Sequence, residues 1–191
     1  MRAYRAKDMA DSKADLLAGA GGLVTDEAQS DHQGRKALLL VRNNEDCDEF
    51  IALAKTMGIN IVDRVDQRGR SDAKWFLGQG KLQDVTEELR SASHGHPWNG
   101  VDLLLLHTNA TPRQLVGVND AVGIEVWDRV RLLLALFTAH ASSVEARTQV
   151  RIARLQSDRT VLREVVKQQT TGERAGYGGA GQTAAGSVLT N

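Results

Sequence analysis

Apolar positions come first in short dense runs and later in one widely spaced stripe, and the two patterns divide the chain. Lys36 to Arg42 (KALLLVR) is a compact apolar run that reads as a buried strand. Asn43 or Asn44 is placed to cap a following helix over 45–57, with acids in its first turn and Gly58 closing it. A second strand over 59–65 is rich in β-branched residues. A charged loop, 67–74, leads to a helix over 82–92, and Val101 to His107 forms the third and most hydrophobic strand. Thr111-Pro112 marks the next helix start, with Thr as cap and Pro in the first turn; Gly123 releases the chain into a fourth strand, 124–127. Strands alternating with helices of about ten residues imply parallel pairing through helical crossovers. The fold class expected is α/β, a small Rossmann-like four-stranded parallel sheet followed by a long helical arm.

The arm begins at Asp128. Thr148, Ile152, Leu155, Arg159, Leu162 and Val166 follow a helical repeat, predicting one amphipathic helix to about Thr171 with these residues as its packing face. Forty-odd residues at helical rise extend roughly 60 Å, too far to lie along so small a body, so the distal half is expected to project or find a partner. A glycine-rich run, Gly176 to Gly181, forms its tip. Three regions result: a flexible tail over 1–34, an α/β subdomain over 35–127, and the arm with its tip over 128–191.

Composition narrows the choice of partners. The formal net charge is zero, so any attraction to a polyanion must be local. The lone Cys47 excludes an intramolecular disulfide and fits a reducing compartment, most simply as a small partly buried thiol. Apolar runs fall well short of the roughly 20 residues that span a bilayer, and the first 35 residues lack a secretory pattern. A cytoplasmic protein with no membrane partner is expected.

Gly78-Gln79-Gly80-Lys81 at a helix start invites an anion, because free N–H groups gather there. The spacing is neither that of a P-loop nor G-x-G-x-x-G, and Leu82 stands where Ser or Thr would reach magnesium. A tight loop needing glycine geometry, with Lys81 solvated, is the simpler explanation. His94 and His96 lack partners for a metal, and His107 at a strand end has no constellation around it. No catalytic residue and no metal set is identified. The arm is more informative. Arg147, Arg151, Arg154, Arg159, Arg163 and Lys167, with Arg174, stand against Asp158, Glu164 and Glu173, a local excess of four positive charges (seven minus three). Arginines suit phosphate contacts, and a bare tip, Gly178, Gly179 and Gly181 with Gln182, could order on contact with RNA. A solvated helix face is the plain alternative.

Several motifs resemble one family. Trp75 to Leu82 (WFLGQGKL) resembles the F-I-G-K-G-K-hydrophobic signature of HflX-type translation GTPases of the Obg–HflX group. Asp128 to Ala141 (DRVRLLLALFTAHA) is similar to their D-R-x-x-L-I-L-x-I-F-A-x-R-A stretch, and Gln149 to Leu155 (QVRIARL) to Q-V-E-L-A-x-L. Gly179 to Thr183 (GAGQT) resembles G-P-G-E-T, and Thr111 to Gln114 (TPRQ) resembles S-P-x-Q. The resemblance covers about 36–183. It implies an N-terminal domain with an α/β subdomain and two long antiparallel helices joined by a glycine-rich loop. It further implies docking on the large ribosomal subunit, with the arm reaching ribosomal RNA and acting in translation. GTP and Mg belong, in that family, to a following G domain, so no cofactor is expected in this chain. Gln182 replaces the family's tip Glu, and His140 an Arg. The return helix and G domain are expected to be missing, leaving Ile152, Leu155, Leu162 and Val166 to self-associate, meet a separate G-domain polypeptide, or fray beyond about Ala153. A ribosome-binding module without its own GTPase site leads; one part of a split or truncated GTP-hydrolysing protein is the alternative.

Overall fold

The structure, a computed structural model, describes residues 32–177. Its centre is β1 (Lys36–Arg42), whose six residues from Ala37 onward are all buried. It pairs in parallel with β2 (Asn60–Gln67) on one side and β3 (Leu103–Leu106) on the other. The short β4 (Glu125–Trp127) pairs in parallel with β3, giving the order β2-β1-β3-β4. Alternation along buried strands loads both faces with apolar side chains. Leu38, Leu40, Leu104, Leu106 and Val126 point to one face, while Leu39, Val41, Leu103, Leu105 and Trp127 point to the other.

Helices cover both faces. α1 (Asp48–Thr56) places Phe50 and Ala54 on the second face. α2 (Gln79–Ser91) and α3 (Pro112–Val122) cover the first through Leu82, Val85, Leu115, Val116 and Val118. Thr111 caps α3 reciprocally with Gln114, and Gly123 ends it in the left-handed region, as the sequence indicates. The expected asparagine cap of α1 does not form. Asn43 and Asn44 both adopt positive φ, and the chain enters α1 at Cys47, whose side chain caps nothing. Asn43 is used elsewhere: its Oδ1 accepts the Gly69 N–H at 2.8 Å. Cys47 is buried, and that burial pushes its thiol above the ordinary value.

The arm departs from the sequence reading in two ways. It is two helices, α4 (Arg129–His140) and α5 (Val144–Tyr177), broken at 141–143. The break has a local cause. Ala141 is extended, and Ser143 starts a new helix by accepting the Ala146 N–H on its Oγ at 3.0 Å. The second departure is the packing face. Val161 and Val165 are buried in the cluster that holds α3, whereas Ile152, Leu155, Leu162 and Val166 are exposed. At 100° per residue those four lie on average about a third of a turn round from the buried pair, with Ile152 nearly opposite it. α5 runs back antiparallel to α4, with Arg154 Nη1 donating to Thr138 Oγ1 at 3.4 Å and Asp158 acting on Arg131. It lies against the body through α4 and α3 as far as Val165; from 166 to 171 no residue is buried.

Gly117 marks where the β2–α2 loop crosses α3. A Cβ there would run into the Lys74 carbonyl oxygen, a backbone atom that cannot swing aside. Gly117→Ala is therefore expected to destabilise the fold by about 2 kcal/mol, read as a lower midpoint in urea.

Candidate nucleic-acid interface

Of the arm cations named from the sequence, Arg174 lies outside the side chains described, and five of the other six are on the surface. Arg147, Arg151, Arg159, Arg163 and Lys167 are exposed along α5. No ion pair holds Arg147, Arg159, Arg163 or Lys167 among the described residues, while Arg151 has a partner of its own. Nearby Glu164 is occupied by Gln168, which donates to it at 3.1 Å. Arg159 sits within the exposed apolar stripe, and Arg163 follows Leu162 directly. The surface thus interleaves guanidinium groups with Ile152, Leu155, Leu162 and Val166. Tip residues Gly178, Gly179, Gly181 and Gln182 lie outside the described residues.

Arg154 belongs to a different structure. It is half-buried between α4 and α5, and burial lowers its pKa against the opposing pull of Asp158. Arg131, buried under α5, is likewise lowered by desolvation, with Asp158 the strongest of the carboxylates acting on it, ahead of Glu125 and Asp128. Asp158 is pushed above the ordinary carboxylate value by burial, opposed by Arg131 and Arg154. This carboxylate between two guanidinium groups joins the helices. It removes Arg154 from the surface available to a ligand.

The same logic ties the start of α4 to the sheet. Asp128 is buried; its Oδ1 accepts the Arg131 N–H at 2.9 Å and its Oδ2 the Ala110 N–H at 3.1 Å. Desolvation raises its pKa in spite of those two bonds. Behind it Glu125 accepts from Trp127 Nε1 and from Arg35 Nη1, the latter at 2.8 Å. Desolvation works against the charge on Arg35, but Glu125 and Asp102 outweigh it and hold its pKa high.

Gly78, Gly80 and Lys81 are where the sequence places them, opening α2 at the C-terminal edge of the sheet. Gly78 is the N-terminal flanking residue, and its N–H donates to Gln67 Oε1 at 2.6 Å. Gly80 faces open space, and Lys81 is half-buried. His107 lies on the same edge, its Nδ1 3.3 Å from Glu45 Oε2 but without hydrogen-bond alignment. His96 is a loop residue that accepts the Trp98 N–H on Nδ1 at 3.1 Å. No group of three or more potential metal ligands occurs among the described residues. No helix among them is long and apolar enough to cross a membrane.

A four-stranded parallel sheet that runs through a buried Asp cap into a returning helix pair defines the class. Residues 44–138 match the family described as GTP-binding GTPase N-terminal. The chain belongs with the HflX-type GTPases, whose N-terminal domain it carries. It is 31% identical over 133 residues to GTPase HflX of Hyperthermus butylicus, covering 70% of this chain and 34% of that protein. It is 28% identical to GTPase HflX of Thermococcus kodakarensis, covering 70% and 29%. The fold is shared with a GTP-binding protein from Sulfolobus solfataricus solved in complex with GDP, at TM-score 0.55 and 23% identity, over 73% of this chain and 42% of that one. The chain spans about a third of the length of these curated relatives.

Proposed function

We propose that this domain is an RNA-contacting module that docks on the large ribosomal subunit through the exposed face of α5. The observation that carries the reading is the set Arg147, Arg159, Arg163 and Lys167, exposed without carboxylate partners in a chain whose overall charge is zero. Cations held in this way release counterions when they meet phosphates, which drives association. Apolar side chains between them add contact area that a purely solvated face would not need. The glycine-rich tip with Gln182 belongs to the same reading, as does a place in translation in the cytoplasm. A second reading rests on length. The relatives bear the name GTPase and are about three times as long as the matched segment, so GTP and Mg would be bound and GTP hydrolysed by a partner domain, in cis or as a separate polypeptide.

Reversing three exposed charges tests the first reading. Arg147→Glu, Arg159→Glu and Arg163→Glu together are expected to weaken co-sedimentation with large ribosomal subunits at least about 100-fold. The thermal midpoint should hardly change, since none of the three is buried or paired. Parent-like pelleting of a folded triple variant would remove α5 as the contact.

A further inference from the structure

A second set of cations lies in and beside the β2–α2 loop, and none of the arm residues belongs to it. Arg68 and Arg70 are exposed on this loop, Lys74 half-buried further along it, and Lys81 sits in the first turn of α2. Arg113 is exposed in the first turn of α3. None of these five is held in an ion pair among the described residues. They are brought together by a pinned loop. Gln114 Nε2 donates to Ser71 Oγ at 2.9 Å and to the Asp72 carbonyl at 2.6 Å, which ties the loop to the turn that carries Arg113. Gly78 N–H and Arg42 Nη1 both donate to Gln67 Oε1, at 2.6 and 3.0 Å, which ties it to the start of α2.

Arg42 holds the loop from beneath. It is 5% exposed, its Nη2 donates to the Arg70 carbonyl, and its Nε has no hydrogen-bond partner. A buried guanidinium thus stands beside a helix N-terminus, and both share a single neutral amide oxygen. Like sign beside like sign is a costly arrangement that an anion relieves. Asp72, which acts on Arg113 and Arg42, relieves only part of it. Asp72 Oδ1 already accepts the Lys74 and Trp75 N–H groups at 2.6 and 2.8 Å, and those bonds hold its carboxyl below the ordinary value. Asp66 is paired with Arg64 at 3.2 Å, and Asp84 lies exposed further along α2.

The same loop carries an aromatic ring. Trp75 is half-buried, with Lys74 Nζ 4.9 Å from its ring centre, whereas Trp98 and Trp127 are buried in the core. A base stacking on Trp75 displaces the ammonium group, which is then free to meet a phosphate.

We propose that this sheet edge, Arg68, Arg70, Lys74, Lys81 and Arg113 around Trp75, binds the phosphate backbone of single-stranded RNA with one base against the indole. It shares with the function proposed above only the class of partner. The test uses the full chain, a short labelled single-stranded RNA, and a salt titration. Arg68→Ala, Arg70→Ala and Arg113→Ala together should flatten the slope of log K against log salt by about 2, since each lost phosphate contact removes roughly 0.7. Trp75→Leu should weaken binding about tenfold and abolish the quenching of tryptophan fluorescence by RNA. The α5 triple variant run beside them separates the two proposals. If the loop variants lose affinity, the sheet-edge surface stands, whatever ribosome pelleting decides for α5; if only the α5 variant loses affinity, the sheet-edge proposal is overturned. Inorganic tripolyphosphate is the second arm. Should the loop triple variant lose tripolyphosphate binding but keep the parent's RNA slope, the edge serves a free phosphate ligand and the RNA proposal is overturned.

Discussion

Replacing Asp158 by Ala is expected to lower the stability of the domain by about 3 kcal/mol, the low end of the cost of breaking a buried ion pair. Asp158 is the carboxylate that acts most strongly on Arg131, which is 6% exposed, and the adjacent Arg154 works in the opposite sense. With Asp158 gone, two guanidinium groups face each other between α4 and α5. Glu125 and Asp128 still act on Arg131, which is why the low end applies. The companion variant Arg131→Met with Asp158→Leu removes both charges. It should recover most of the loss, because an apolar pair of similar volume carries no desolvation cost. Urea denaturation of the parent, the two single variants and the pair measures the coupling. A coupling near zero would mean that the helices are held by Val161 and Val165 alone.

Those two valines carry the second large effect. Val161 is 1% exposed in the cluster that includes Leu115, Val116 and Val118, so Val161→Asp places an unpaired charge in the core, one turn from Asp158. A loss of about 4 kcal/mol is expected, with backbone amides of α5 losing hydrogen-exchange protection before those of the sheet. Leu155→Asp, on a side chain that is 49% exposed, should change stability by no more than about 0.5 kcal/mol. Equal sensitivity at the two positions would contradict the way α5 is seated. The sequence reading places the weak point beyond about Ala153; the seating of α5 places its attachment later, at Val161 and Val165.

The contrast between these positions shows what was legible beforehand. The sheet was readable because runs such as Leu38 to Val41 and Leu103 to Leu106 are buried on both faces, and a continuous apolar run has few other uses. The cap of α3 was readable because Thr111, Pro112 and Gln114 each act locally. The seat of α5 was not. Its inner face mixes Arg154 and Asp158 with Val161 and Val165, and a paired charge hides a packing stripe from any count of apolar residues. The stripe that such a count does find, Ile152 to Val166, faces outward. The break before α5 was signalled by Ser143 ahead of Glu145, a cap overlooked inside a strong helical pattern.

The candidate interface divides in the same way. Surface arginines could be named from the sequence, but separating Arg154 from Arg147, Arg159 and Arg163 required knowing which side of α5 faces the body. Gly78, Gly80 and Lys81 were visible as a helix start. Arg42 beside them was not, because an arginine ending a strand gives no sign that its guanidinium reaches Gln67 on the neighbouring strand and the Arg70 carbonyl in the loop after it.

The most direct measurement is pelleting of the parent chain with isolated large ribosomal subunits across a salt series. If the four unpartnered cations of α5 meet phosphates, log K should fall with log salt at a slope of about −3. Binding that is flat in salt, or no pelleting at low salt from a folded sample, would contradict docking through this face.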